Sequence, residues 1–261
     1  MIRASDKVAF RCSEPCALCD REGKVRGEIA PGHAYEVTAA ESLPAQIEYF
    51  VRLAITEDQA AAQSAAAREG QKGWPVTFRQ VGLVVDLGTS KVDNREYWVL
   101  AGPFGTESEA VEFRRRHHIP AVCLVVEQAV RRAKGALLCA GQSFADAVRI
   151  VPPAGRKGVI TLANVVVGVE FHWQHLEDQL LFGTLEVTLN NQGRLVAIDE
   201  PLIEDYLASV NSSEMTADCP PDLLRAQTVA ARATVLATMG KHHAAEPFHL
   251  CADDHCQRYW G

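Results

Sequence analysis

The sequence predicts an α+β protein: a β-rich domain with a helical segment toward its C-terminal end, and a small βαββαβ α/β sandwich inserted into it. Three observations carry this. Short runs of alternating apolar and polar residues, separated by turn residues, fill residues 1–46 and return after residue 133. Residues 47–132 instead mix strand-like and helix-like texture. A long alanine-rich helical pattern appears only beyond residue 200.

In chain order, "KVAF", a turn at "DREGK", "VRGEIA", a Pro-Gly break and "AYEVTA" read as the first strands. "EYFVRLAI" alternates as a strand does. "TEDQAAAQSAAAREG" opens on Thr56 as N-cap, has early acids and closes on Gly70, as a helix should. "PVTFRQVGLVVDLG" is expected to be one strand, followed by a polar turn "TSKVDN". "REYWVLAGPF" is a strand, "TESEAVEFRRRHH" a second capped helix, and "AVCLVVEQAV" the strand that closes the insert.

After "RRAKGA" the short β segments resume: "ALLCA", "AVRIVP", "GVITLANVVVGVEFHW" and "LLFGTLEVTLNNQGRLVAID". "PLIEDYLASVNSSEM" is a short helix with Glu214 at its C-terminal end. "PPDLLRAQTVAARATVLATMG" is longer. Its prolines stand where a missing N–H does no harm, and Gly240 closes it. Its alanines let neighbouring backbone approach closely, and Arg225, Val229, Arg232 and Leu236 share one face.

Composition excludes several function classes. A formal net charge of −7 argues against a general nucleic-acid binder, which needs a basic face to displace counterions. The most apolar run, "VITLANVVVGVEF", is too short to span a bilayer and holds Asn164. "MIRASDKVAF" lacks the apolar region of an export signal. "RRRHH" at 114–118 reads as the solvated end of a helix, where cations suit the dipole.

Eight cysteines in 261 residues are too few for a disulfide scaffold. Cys12, Cys16 and Cys19 have the C-x3-C-x2-C spacing of a radical iron–sulfur site, but that chemistry normally opens a barrel of alternating strands and helices, and short strands follow here. A metal held by the three with an outside ligand, or a disulfide plus one free thiol, stays open. Near the end, Cys251, His255 and Cys256 offer thiolates and an imidazole at zinc-like spacing, with His243, His242 or His249 as a fourth ligand. A Cys251–Cys256 disulfide and free buried thiols are the alternatives.

From Asp199 to Gly261 the chain resembles the stage II sporulation protein D/LytB family. The elements that match are, in order, the acidic helix around "IEDYL", the "SEM" turn, the helix "LLRAQTVAARATVL" and the segment "CADDHCQRYWG". The upstream "FGTLEVTLNNQGRLVAIDE" is similar to that family's β-rich approach. Residues 47–132 resemble a SPOR domain, a unit that binds peptidoglycan glycan stripped of its peptides, through "YWVLAGPFGTESEAVEFRRR". Its first strand departs, with Arg52 and "AIT" where that family has a glutamine and "GSF". The resemblances imply three regions. Residues 1–46 are the β-rich N-terminal part of the sporulation-protein-like domain, 47–132 the SPOR-like insert, and 133–261 the helical catalytic region. Family members continue beyond this segment, so the last region is expected to be C-terminally truncated.

The family resemblance implies a lytic transglycosylase that cleaves MurNAc–GlcNAc bonds, with Glu214 of the "SEM" turn as general acid and then base. A hydrolase would need a second carboxylate to activate water or attack the sugar; here the sugar's own C6 hydroxyl attacks, so one glutamate suffices. Glu204 and Asp205 are the rival carboxylates, and their place early in a helix suits a surface or capping pair. The resemblance also implies zinc bound in a structural role by His243, Cys251, His255 and Cys256, since four protein ligands leave no open position. Gln257 and Tyr259 are expected to line the glycan groove, with Arg225 as a further substrate contact. The implied partners are glycan strands and a cell-wall amidase, and the implied location is outside the inner membrane. A non-catalytic wall-binding or amidase-enhancing protein is the alternative reading.

Overall fold

The computed structural model describes residues 5–167, 174–252 and 255–259. The chain opens with β1 (Lys7–Cys12), β2 (Cys16–Asp20), β3 (Val25–Ile29) and β4 (Ala34–Leu43). Next come β5 (Gln46–Thr56), α1 (Gln59–Gly70), β6 (Val76–Val81), β7 (Val84–Asp86), β8 (Lys91–Asp93), β9 (Glu96–Phe104), α2 (Glu107–Arg116) and β10 (Val125–Arg131). After these lie β11 (Lys134–Cys139), β12 (Gln142–Ala145), β13 (Ala147–Val151), β14 (Ile160–Val167), β15 (His175–Leu181), β16 (Thr184–Leu189) and β17 (Leu195–Glu200). Two helices follow, α3 (Ile203–Glu214) and α4 (Pro221–Thr238). The fold is mixed α+β, as the sequence predicts.

The chain divides into two compact units, one of Met1–Ala45, Ala133–Ala233 and Leu250–Gly261, the other of Gln46–Arg132 and Thr234–His249. In the first unit a six-stranded sheet runs β12-β11-β4-β1-β14-β15 and a five-stranded sheet runs β17-β16-β13-β2-β3. Every pairing in both is antiparallel. Alternation explains the core. Val8, Phe10 and Cys12 of β1 point inward while their neighbours do not, and they pack with Leu18, Ile29, Leu137, Ile150, Ile160 and Leu185 in one cluster. Asn164 takes a left-handed conformation (φ 57°) where β14 slips register against β15, and its N–H donates to Asp178 at 3.1 Å. The end of the run "GVITLANVVVGVEFHW", at 168–173, lies outside the described residues.

In the second unit the sheet order is β10-β5-β9-β6, with β7 and β8 forming a separate hairpin. The middle strand β9 reads as a continuous apolar run because both its faces are covered. Val99 packs with Ala62 and Ala65 of α1, Ala101 with Ala110 of α2, and Trp98 and Leu100 with Phe50 and Val81 on the opposite face. The helix α2 carries a complete capping box, Thr106 with Glu109. Residues 234–249 close this unit: Asn94 Nδ2 donates to the carbonyls of Leu236 and Met239, at 2.8 and 3.0 Å, satisfying acceptors at the end of α4.

Four local expectations change. The N-cap of α1 is Asp58, whose carboxylate accepts from Ala61 N at 2.7 Å, while the Thr56 hydroxyl turns to the Asp58 carbonyl. "PVTFRQVGLVVDLG" breaks into β6 and β7 at Gly82, whose φ of +81° and close neighbour Asn94 leave no room for a side chain. β10 begins at Val125 rather than Ala121. "CALC" forms β2, a strand hidden by its short length and two cysteines.

Candidate functional site

The last two helices and the closing segment form a small satellite core. Leu207 and Val210 of α3, Ala231 of α4 and Tyr259 are buried together, with Ile203, Tyr206 and Ala252 packed around them. The alanine at 231 permits this, because only a small side chain lets the closing segment come against the helix backbone. Asn211 pins α3 to α4: its Nδ2 donates to Thr228 Oγ1 at 3.0 Å and to the Leu224 carbonyl at 3.4 Å.

Two aromatic rings anchor the closing segment. Tyr206 and Tyr259 stack with centroids 5.1 Å apart and planes 14° from parallel. Tyr206 Oη donates to Gln257 Oε1 at 3.1 Å, and Gln257 Nε2 donates to the Ala231 carbonyl at 3.3 Å. Tyr259 Oη donates to Asp199 at the end of β17. Asp199 also accepts from the backbone N–H groups of Gly183 at 3.0 Å and Phe182 at 3.4 Å. Gly183 must be glycine: a Cβ there would collide with the Glu200 carbonyl. Burial pushes the Asp199 carboxyl above the usual range, partly offset by the Tyr259 hydroxyl and the two backbone donors. Burial likewise raises both phenols, Tyr259 further through the nearby Asp199.

Glu214 is the last residue of α3, and the chain leaves the helix at Met215 with extended geometry. Its side chain is exposed. Gln227 of α4 donates an amide N–H to Glu214 Oε2, and the backbone N–H of Arg258 donates to Oε1 at 3.4 Å. The carboxylate therefore stands at the surface between α4 and the closing segment.

The remaining candidates fall elsewhere. Arg225 is exposed and pairs with Asp222 one turn earlier, at 2.8 Å. Glu204 makes a two-pronged contact with Arg232, at 2.6 and 2.8 Å, and Asp205 pairs with Lys157 at 2.6 Å. Both acids sit in the first turn of α3, Glu204 as an exposed ion-pair member and Asp205 half-buried, with its second carboxylate oxygen buried and not hydrogen-bonded. Gln257 and Tyr259 are buried, and the polar atoms expected to face glycan are engaged with Tyr206, Ala231 and Asp199.

One ligand atom from each of Cys251, His255 and Cys256 lies within 4.8 Å of the others. Among the described residues this is the one such grouping of three or more. Cys251 Sγ is 3.8 Å and Cys256 Sγ 3.5 Å from His255 Nδ1. These separations suit ligands around one tetrahedral ion, where bonds of about 2.0–2.3 Å set neighbouring donors roughly 3.3–3.8 Å apart. Two thiolates and an imidazole are a donor set for a borderline-soft ion. Among the described residues no disulfide is formed. Cys12, Cys16 and Cys139 belong to the main core, and Cys19 is buried outside that cluster.

Residues 191–261 match the family model described as stage II sporulation protein. This segment is similar to the stage II sporulation protein D/LytB family. The sporulation protein D match spans β17, both helices, Glu214 and the His/Cys group, and it points to a role connected with the cell wall. No curated protein matches the chain. A crystal structure of a candidate exported protein of Burkholderia pseudomallei K96243 matches at 12% identity and a TM-score of 0.28, over 74% of this chain and 46% of that one. The chain thus spans about half the length of that structure. Among the described residues no helix is long and apolar enough to cross a membrane.

Gln227, Asp199 and Tyr206 are the site residues that sequence reading missed. Asp199 closes an ordinary strand, Tyr206 looks like a helix-face aromatic, and Gln227 is one polar residue in an alanine-rich helix. None has a local signal; a polar residue 13 positions from a flagged acid becomes visible only once α3 and α4 are packed.

Proposed function

We propose that this chain is a lytic transglycosylase acting on the glycan of the bacterial cell wall, with Glu214 as its general acid and base. The observation that carries the reading is an exposed carboxylate at the end of α3, held by two N–H donors, inside the segment that matches the family. Glu214 as the acid gives its proton to the glycosidic oxygen while the C1–O bond breaks, which releases the GlcNAc side as a free hydroxyl. The C6 hydroxyl of the MurNAc ring then bonds to C1, and its proton passes to the Glu214 carboxylate. The atoms balance without water, the product end is a 1,6-anhydro sugar, and the acid is regenerated.

Asp199, Tyr206, Tyr259 and Gln257 hold the closing segment in place beside Glu214 in this reading, so Gln257 and Tyr259 act as packing supports rather than as glycan contacts. His243, Cys251, His255 and Cys256 would hold zinc. Bound there, zinc would cross-link the closing segment and leave the carboxylate chemistry to Glu214, since four protein ligands fill its coordination. Residues 47–132 serve as a SPOR-like glycan-binding unit, and the protein works outside the inner membrane. The four-stranded sheet with its two helices supports the first assignment, and the family match over residues 191–261 supports the second.

The test is digestion of peptide-free glycan strands, with products read by mass spectrometry. Wild type is expected to release anhydro-MurNAc ends and Glu214→Gln to release none. Identical product traces from the two proteins would leave only a non-catalytic wall-binding or amidase-enhancing role.

A further inference from the structure

The partner of Glu214 on α4 goes beyond the acid itself. Glu214 ends its helix, so its side chain leaves from the last helical residue, where backbone restraint is weakest. An acid that must hand over a proton in one direction needs its carboxyl plane held. Gln227 is the side chain that reaches it. Gln227 is itself half-buried and well anchored, because Asn211 grips α4 at Leu224 and Thr228, on either side of it. The other oxygen meets the Arg258 N–H, a donor fixed by the backbone. Two donors from two elements thus define the carboxyl plane and leave its remaining lone pairs toward solvent.

The chemistry of the partner matters as much as its place. A lysine or arginine here would pair with the carboxylate alone and oppose its protonation. A glutamine amide carries no charge and has both N–H donors and a carbonyl acceptor, so it can pair with a carboxylate or a carboxylic acid. That suits a group which alternates between the two.

We infer that Gln227 is a positioning residue for the proton transfers of Glu214, an inference that rests on the transglycosylase reading above. It acts through the Glu214 carboxyl and does not touch the sugar. The test compares kcat and KM for anhydro-end release from peptide-free glycan strands by wild type, Glu214→Gln, Gln227→Leu and Gln227→Met, with a thermal melt of each. Both Gln227 variants are expected to melt with wild type and to keep KM within about twofold, while kcat falls by roughly tenfold to a hundredfold, the cost of a misplaced catalytic group. Methionine matches the length of glutamine without its hydrogen bonds, so it carries the test if leucine disturbs packing. Wild-type kcat in a folded Gln227 variant overturns the inference while the transglycosylase reading stands. So does a raised KM with unchanged kcat, which would make Gln227 a glycan contact. A wild type that releases no anhydro ends removes both, and is told apart because the unmodified protein itself fails.

Discussion

The phenol of Tyr259 donates a hydrogen bond to the carboxylate of Asp199, 60 residues earlier in the chain. This contact fastens the closing segment to the end of β17, and it buries an acid whose carboxyl is held above its ordinary range by desolvation. The raised value sets the sign of a pH effect. Its contribution is complete below the unfolded-state value and is lost as pH rises through the folded one. The wild-type melting temperature is therefore expected to lose ground to Asp199→Asn as pH climbs from about 4 toward neutrality. A difference between the two that stays flat over that range would contradict the assignment. Tyr259→Phe, which removes a donor from a buried carboxylate, is expected to cost about 1–3 kcal/mol in urea unfolding.

The His/Cys group predicts a bound metal. Protein purified without added zinc should carry close to one equivalent by elemental analysis, and Cys251→Ser and His243→Ala should each lower it. Chelation should reduce the melting temperature, because metal affinity in such a site is folding free energy. A mass two protons light, with no metal, would assign the cysteines to a disulfide instead.

Thiol reactivity should divide by burial. Cys12, Cys16, Cys19 and Cys139 are buried, and burial alone pushes the Cys139 thiol up to about 11. Under native conditions these four are expected to resist a thiolate-specific reagent, while the part-exposed Cys123 and Cys219 react first. All should react in denaturant. Rapid native labelling of Cys139 would contradict the packing described for β11.

Thr106 supplies both halves of a local test on α2. Its hydroxyl accepts from Glu109 N at 3.2 Å, and Glu109 reaches back to the Thr106 N–H at 3.3 Å. Thr106→Ala is expected to cost about 1 kcal/mol, and Thr106→Ser much less. Equal losses from the two would point to the methyl group rather than the cap.

Some of this could be read directly from the residues. The inward set Val8, Phe10 and Cys12 follows from alternation, and the cap at Thr106 from the spacing of a threonine and a glutamate. Glu214 stood out through its motif. Other features could not be read. "TED" offers two capping side chains, and only the final geometry gives the cap to Asp58. The aromatic and amide groups of Tyr259 and Gln257 look as suited to sugar as to a core. Their burial depends on Tyr206 and Ala231, which are 53 and 26 residues away.

The sequence by itself determined the classes of element, and it picked out candidates for the limits of the insert, for the acid and for the metal ligands. Those depend on local periodicity, turn chemistry and motif order, which are written into neighbouring residues. The tertiary structure decided what surrounds the acid and which polar side chains are spent on packing. It put Gln227 and the Arg258 amide against Glu214, and Asp199 beneath Tyr259. Such contacts form between elements distant in the chain, and the packing of α3 and α4 on each other and on the closing segment chooses among the many partners that composition would allow.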